Sequence, residues 1–218
     1  TNPDAFTFDI DEYFTRLQPL CNDKVLIGIE IGMQTHTAAE DKKVAQGHDF
    51  DFVLGSIHCI GKRDLYEASC YAGRTRQQIV EEFLTDSITC LEQDRDFDAF
   101  AHIDYICRYW PYEGEERELR LADAPNLFDK LFQLLIEKNI PIEINTRRLD
   151  DAVAVAGLIP LYKRYQQLGG RYCTIGSDAH YAEHVGRRLA EALQIAQACQ
   201  LTPVYFKKRK MQIMEVSK

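Results

Sequence analysis

Tyr172-Cys173-Thr174-Ile175-Gly176-Ser177-Asp178-Ala179-His180 is the stretch on which the fold turns. An apolar run that reads as a strand ends in two metal-binding residue types, two positions apart. Alternate side chains on extended backbone share a face, so D-x-H sends a carboxylate and an imidazole toward one edge of a sheet. The pattern recurs upstream. Val25-Leu26-Ile27-Gly28-Ile29-Glu30 ends in a carboxylate, the run from Phe50 to His58 in an imidazole, and Phe97-Asp98-Ala99-Phe100-Ala101-His102 in another. One such ending is noise, but four predict a barrel with a metal site at the C-terminal edge of its strands.

Helical patterns fall between these runs. Asp11 to Leu20 places Tyr13, Phe14, Leu17 and Leu20 on one face. Thr75 with Gln78 reads as a capping box, opening a helix whose buried stripe is Ile79, Val80, Phe83, Leu84, Ile88 and Leu91. Pro125 suits the first turn of a helix reaching Lys138, with Leu127, Leu131, Leu134 and Leu135 as its stripe. Ile140 to Asn145 is the next strand, and Leu158 to Leu168 is a helix stopped by Gly169-Gly170. Strand and helix alternate, which predicts an α/β protein with a helix-covered parallel sheet.

With 218 residues, 45% hydrophobic and 28% charged, the chain reads as a single domain, 1–218. A net charge of −8 opposes a broad surface for nucleic acid or anionic membrane and favours a small-molecule partner. The seven cysteines show no C-x-x-C pairing, so reduced thiols are expected rather than a disulfide framework or a structural zinc cluster. Cys59, beside His58, is a better strand-end filler than nucleophile. No apolar run approaches a membrane span. The chain opens on Thr1, so the lack of a signal peptide carries little weight; a cytoplasmic location is the expectation.

Taken together, Gly28-Ile29-Glu30-Ile31-Gly32, Asp51 to His58, His102-Ile103-Asp104, Glu143-Ile144-Asn145-Thr146 and Ile175 to His180 resemble the polymerase and histidinol phosphatase (PHP) family of metal-dependent phosphoesterases, histidinol-phosphatase branch. The closing run Val204 to Arg209 looks like the family's C-terminal strand, so the resemblance covers essentially the whole chain. It implies a distorted seven-stranded (β/α) barrel with up to three divalent metals (zinc, iron or manganese) at its mouth. By the same resemblance Glu30 bridges two metals, His58 and His102 complete one site, Asp178 serves the second and His180 the third, with Glu30 and Asp178 central to catalysis. The family opens with an H-x-H strand and a strand ending in T-D-H, and neither occurs here. Thr35-His36-Thr37 follows Glu30, in the wrong order. The resemblance therefore implies a domain whose first two β-α units are absent from this sequence, with exposed sheet edges open to self-association.

Taken singly, the same residues have plainer readings. Glu30 and Asp178 read equally as helix caps, and His58 and His102 as hydrogen-bonded half-buried histidines; their joint placement favours ligation. His36, His48 and His184 are assigned to the surface or to positions behind the ligands. Arg147 and Arg148 follow Asn145-Thr146 at the proposed mouth and are candidates for a substrate phosphate, with a surface role the plainer reading for one of them. Arg108 to Leu121, which holds Trp110, reads as a lid over substrate or as a solvated loop with one apolar anchor. Lys207 to Lys210 reads as decoration of a terminal strand. Imidazole and carboxylate suit metals that acidify water and polarise a phosphoryl group, which implies hydrolysis of a phosphate monoester. The resemblance names L-histidinol phosphate, in histidine biosynthesis. The alternatives are a catalytically incomplete remnant or scaffold, and a phosphoesterase acting on another small phosphorylated metabolite or nucleotide.

Overall fold

The computed structural model describes residues 8–215, the side chain of Glu115 excepted. Six strands, β1 (Gly28–Gly32), β2 (Phe52–Ser56), β5 (Ala99–Phe100), β6 (Ile142–Asn145), β7 (Tyr172–Gly176) and β8 (Thr202–Lys207), run parallel in that spatial order, and β9 (Lys210–Ile213) adds antiparallel to β8. A separate short hairpin, β3 (Cys59–Ile60) with β4 (Arg63–Asp64), follows β2. Spatial order equals chain order. Each crossover therefore advances the sheet by one strand, without the reversal that marks a doubly wound fold.

Helices α2 (Ala38–Gln46), α3 (Arg76–Glu92), α4 (Pro125–Glu137), α5 (Ala152–Gln167) and α6 (Leu189–Ala198) fill the crossovers, and α1 (Ile10–Leu17) precedes β1. Thr75 forms the capping box with Gln78, and all six stripe residues of α3 are buried. Pro125 opens α4, which buries Phe128, Leu131, Phe132 and Leu135. Every residue of β6 is buried, as expected of a strand covered on both faces.

The sheet curls strongly. In a flat sheet β2 and β8 would stand four spacings, about 19 Å, apart. Instead Phe52 of β2 stacks on Phe206 of β8 with ring centroids 5.4 Å apart. The turn after β8 reaches the start of β2: the Lys208 N–H donates to Asp51 Oδ1 at 2.9 Å and the Arg209 N–H to the Asp51 carbonyl at 2.9 Å. Arg209 pairs with Asp96 and Asp98, each at 2.6 Å. Even so, no ladder joins β1 to β9 among the described residues, so the sheet is an open, curled one rather than a barrel closed by strand pairing.

Three expectations are revised. Helix α1 ends at Leu17; Pro19 lies in a short 3-10 turn, Gln18–Leu20, and Leu20 is exposed rather than on the inner face. Helix α5 begins six residues before Leu158, because Asp151 caps the N–H groups of Val153 and Ala154; Pro160, which suits a first turn, lies inside the helix. The basic run from Lys207 is a hairpin turn, with Lys208 and Arg209 both at positive φ, 51° and 60°, as a two-residue type I′ turn requires. The segment from Arg108 has the expected apolar anchor and a second one: Trp110 is buried, its indole N–H donates to the Arg117 carbonyl at 2.8 Å, the Arg76 guanidinium lies 4.9 Å from its ring centroid, and Leu119 is buried as well.

Arg209 joins the two ends of the curl while its partner Asp98, half-buried, also accepts the Val53 N–H at 2.7 Å. Arg209→Ala should therefore cost about 2 kcal/mol in urea unfolding, whereas Lys210→Ala on the exposed edge should stay within about 0.5 kcal/mol.

Candidate metal centre

Parallel register brings the strand ends together. Glu30 pairs with Leu54, and Gly32 with Ser56, so that His58 emerges two residues past β2 beside the end of β1. His102 emerges two residues past β5, which pairs with β2 through Leu54 and Gly55. Glu30 Oε1 lies 3.2 Å from His58 Nε2 and 3.2 Å from His102 Nε2, and the two imidazole nitrogens are 3.4 Å apart. Three donors about 2.1 Å from one cation at tetrahedral angles would be about 3.4 Å apart, so the triangle has the size of a three-ligand site with an open fourth position. Among the described residues this is the one group of three His, Cys, Asp or Glu donors with all ligand atoms within 4.8 Å. Side-chain exposure is 37% for Glu30, 33% for His58 and 2% for His102, so the centre opens to solvent on the Glu30 and His58 side.

The surroundings hold the two rings. Tyr105 packs with centroids 4.3 Å from His58 and 5.0 Å from His102. The Leu65 N–H donates to the His58 carbonyl at 2.9 Å, tying His58 to the β3–β4 hairpin. The His102 N–H donates to Glu143 Oε2 at 2.8 Å. Burial pushes the Cys59 thiol up to about 11, which suits filler rather than nucleophile.

Asp178 and His180 stand in a second group. Asp178 sits at φ 49°, a left-handed conformation that Asp tolerates, and its Oδ2 accepts from Arg108 Nη1 at 2.6 Å. His180 is 63% exposed, with Nδ1 2.9 Å from the Asp178 carbonyl oxygen and 3.1 Å from Arg147 Nη1. The two arginine candidates separate. Arg147 stays 40% exposed, 3.8 Å from Asp178 Oδ1, whereas Arg148 turns inward to Asp104 at 3.0 Å and to Glu118. With both ends of its fork committed to buried carboxylates, Arg148 is a structural ion pair and not a phosphate contact. Reading the sequence missed Arg108, Tyr105, Glu143 and Asn145 as members of the site. Among the other histidines, His36 is exposed, His48 stacks on Phe14 at 4.6 Å, and His184 lies edge-on to Tyr181.

Electrostatics couple the triangle. Burial alone would raise the Glu30 carboxyl, but hydrogen bonds and charge from His102 and His58 outweigh it and hold the group far below the usual carboxylate range. Burial alone would lower His102, yet the Glu30 hydrogen bond and the charges of Glu143 and Glu30 raise it. Stability from protonated His102 is complete below its ordinary 6.5 and is lost as pH climbs through the raised value. Stability from ionised Glu30 is complete above its ordinary 4.5 and is lost as pH falls through the lowered value. Burial raises Glu143, so its contribution too is lost as pH climbs from its ordinary 4.5 through the raised value. The metal-free protein should therefore show a thermal midpoint that falls as pH rises above 6.5, and Glu30→Gln should flatten that fall.

The comparisons with known proteins agree with this geometry. A family model for the PHP domain matches residues 4–147. The chain is similar to a probable histidinol-phosphatase of Clostridium acetobutylicum, 40% identical over 206 residues that cover 94% of this chain and 80% of the relative. It is also similar to the histidinol-phosphatase of Lactococcus lactis, 29% identical over 184 residues, covering 82% and 68% of the two chains. The crystal structure of histidinol phosphate phosphatase from Lactococcus lactis, complexed with zinc, L-histidinol and phosphate, superposes with a TM-score of 0.82 at 25% identity, covering 95% of this chain and 81% of that one. Strand-end donors, sheet order and relatives lead to one conclusion: the chain belongs to the PHP-domain family and is similar to histidinol-phosphatases.

Proposed function

We propose that this chain is a metal-dependent histidinol-phosphatase, hydrolysing the phosphate monoester of L-histidinol to the alcohol and phosphate. The observation that carries the reading is the Glu30, His58 and His102 triangle, of metal-ligand size and open on one side, in a member of this family. Zinc, iron or manganese bound there would supply a water acidified toward neutral pH and a Lewis acid for the phosphoryl oxygen. Glu30 contributes an anion that stays ionised across the working pH range. His58 and His102 contribute nitrogen donors that Tyr105 and the Glu143 contact hold in place. Asp178 and His180 supply further donors on the neighbouring loop, and Arg147, with its exposed guanidinium, is placed to meet the substrate phosphate.

The donors that the family's H-x-H and T-D-H strands provide are not among these 218 residues. They would sit on the open side of the curled sheet, completing a distorted barrel. That same open side, with β1 and β9 at its edges, is where a second copy of the chain would pair. A net charge of −8 argues for a small phosphorylated metabolite rather than nucleic acid. Seven free thiols suit the reducing cytoplasm, and no helix of the described residues is long and apolar enough to cross a membrane.

The test is phosphate release from L-histidinol phosphate at matched zinc or manganese loading. A chelator should abolish turnover, and Glu30→Gln and His58→Ala should each lower it by at least about 100-fold. A form carrying the H-x-H and T-D-H strands should exceed the 218-residue chain by a similar factor. Full activity in both variants would sink the reading; zinc retention without turnover in either form would favour the scaffold alternative.

A further inference from the structure

Glu143 is a buried carboxylate with 4% of its surface exposed, lying between the three-donor centre and the Asp178 loop. Its Oε2 accepts from the His102 N–H at 2.8 Å and from the Asn145 side-chain amide at 3.2 Å. Asn145 Oδ1 accepts from Arg108 Nη2 at 3.2 Å and from the Arg147 N–H at 3.0 Å, and Arg108 Nη1 donates to Asp178 at 2.6 Å. The polarity of this chain of contacts is forced. A guanidinium and a backbone N–H only donate, so Asn145 turns Oδ1 to Arg108 and Arg147 and its NH2 to Glu143 Oε2. Space for the carboxylate is kept by the residue opposite Asn145 in the β6–β7 ladder: a Cβ on Gly176 would lie 2.0 Å from Glu143 Oε1.

We propose that Glu143 is a positioning residue of the hydrolytic site, holding His102 on one side and, through Asn145 and Arg108, Asp178 on the other. It fixes the separation between the three-donor centre and the Asp178 carboxylate. Both contacts end on Oε2, so an amide in its place keeps them with its carbonyl oxygen but without the carboxylate's charge, which loosens the hold on His102 and on Asn145, and through Asn145 on Arg108 and Asp178. The kinetic consequence rests on the phosphatase reading, whereas the geometric coupling does not.

The experiment compares the full chain with Glu143→Gln, Glu143→Asp and Asn145→Ala by three readouts. These are the Arg108 guanidinium and His102 amide signals in 15N NMR without metal, the zinc dissociation constant by chelator competition, and kcat and KM for L-histidinol phosphate. Glu143→Gln should move both NMR signals, weaken zinc binding about tenfold, and lower kcat more than it raises KM. Glu143→Asp should recover part of each effect. Asn145→Ala should move the Arg108 signal while zinc binding stays within about twofold. An Arg108 signal unmoved in the variants would overturn the coupling whatever the activity. Unchanged zinc affinity and kcat beside a lowered melting temperature would reduce Glu143 to a structural role and overturn the proposal equally. If neither the parent chain nor the form carrying the H-x-H and T-D-H strands releases phosphate, the phosphatase reading fails, and the NMR and zinc arms still decide this one. Should Glu143→Gln fail to fold, the Asp and Asn145 variants supply the same Arg108 readout.

Discussion

Curvature of the sheet is the constraint on which the rest of the molecule depends. Parallel strands in chain order would spread into a flat ribbon in which the ends of β1 and β7 stand four spacings, about 19 Å, apart. The Phe52–Phe206 stack and the Arg209 pairs with Asp96 and Asp98 bring the C-terminal end of β8 and the turn after it against the start of β2 and the segment before β5. In the sheet so curled, contacts run between the loops that follow β5, β6 and β7. Arg108 can then reach across from the loop after β5 to both Asn145 of β6 and Asp178 beyond β7.

What the sequence revealed of the site was which strand-end side chains meet. Glu30, His58 and His102 were legible because a residue at a strand end is placed by a period of two, and three strands obeyed the same rule. Arg108 was hidden by its setting, since it lies in a charged segment that reads as loop and its partners Asn145 and Asp178 are 37 and 70 residues away in the chain. Arg148 misled for the converse reason. It is one residue from Arg147, but the turn after β6 sends successive side chains to opposite sides, one to the mouth and one to Asp104 and Glu118. Glu143 was quoted as part of a motif without a role, because nothing local tells a buried acid on a central strand from a ligand.

The fold shows the same division. Capping box, Pro125 and the apolar stripe of α3 follow from contacts within one element and stand where the sequence put them, whereas α4 keeps Leu131 and Leu135 inside but buries Phe128 and Phe132 in place of Leu127 and Leu134. The start of α5 depended on Asp151 outweighing the β-branched residues that follow, a balance that local preference does not settle. The β8–β9 hairpin needed a two-residue turn at Lys208 and Arg209, neither of them Gly or Asn, and the positive φ of Arg209 goes with contacts to Asp51, Asp96 and Asp98 from far upstream.

The reach of those contacts bears on how the chain acquires its shape during synthesis. Successive strands are sheet neighbours, so β1, β2 and β5 can pair soon after they leave the ribosome, and the Glu30, His58 and His102 donors can meet early. The bend, in contrast, waits for Lys208 and Arg209, whose partners lie 157 and 111 residues back for the Asp51 and Asp98 contacts. Until then the contacts that bend the sheet cannot form, whereas Glu30, His58 and His102 all lie in the first half of the chain and have already been made, so a metal ion can meet the three side chains before the sheet is bent.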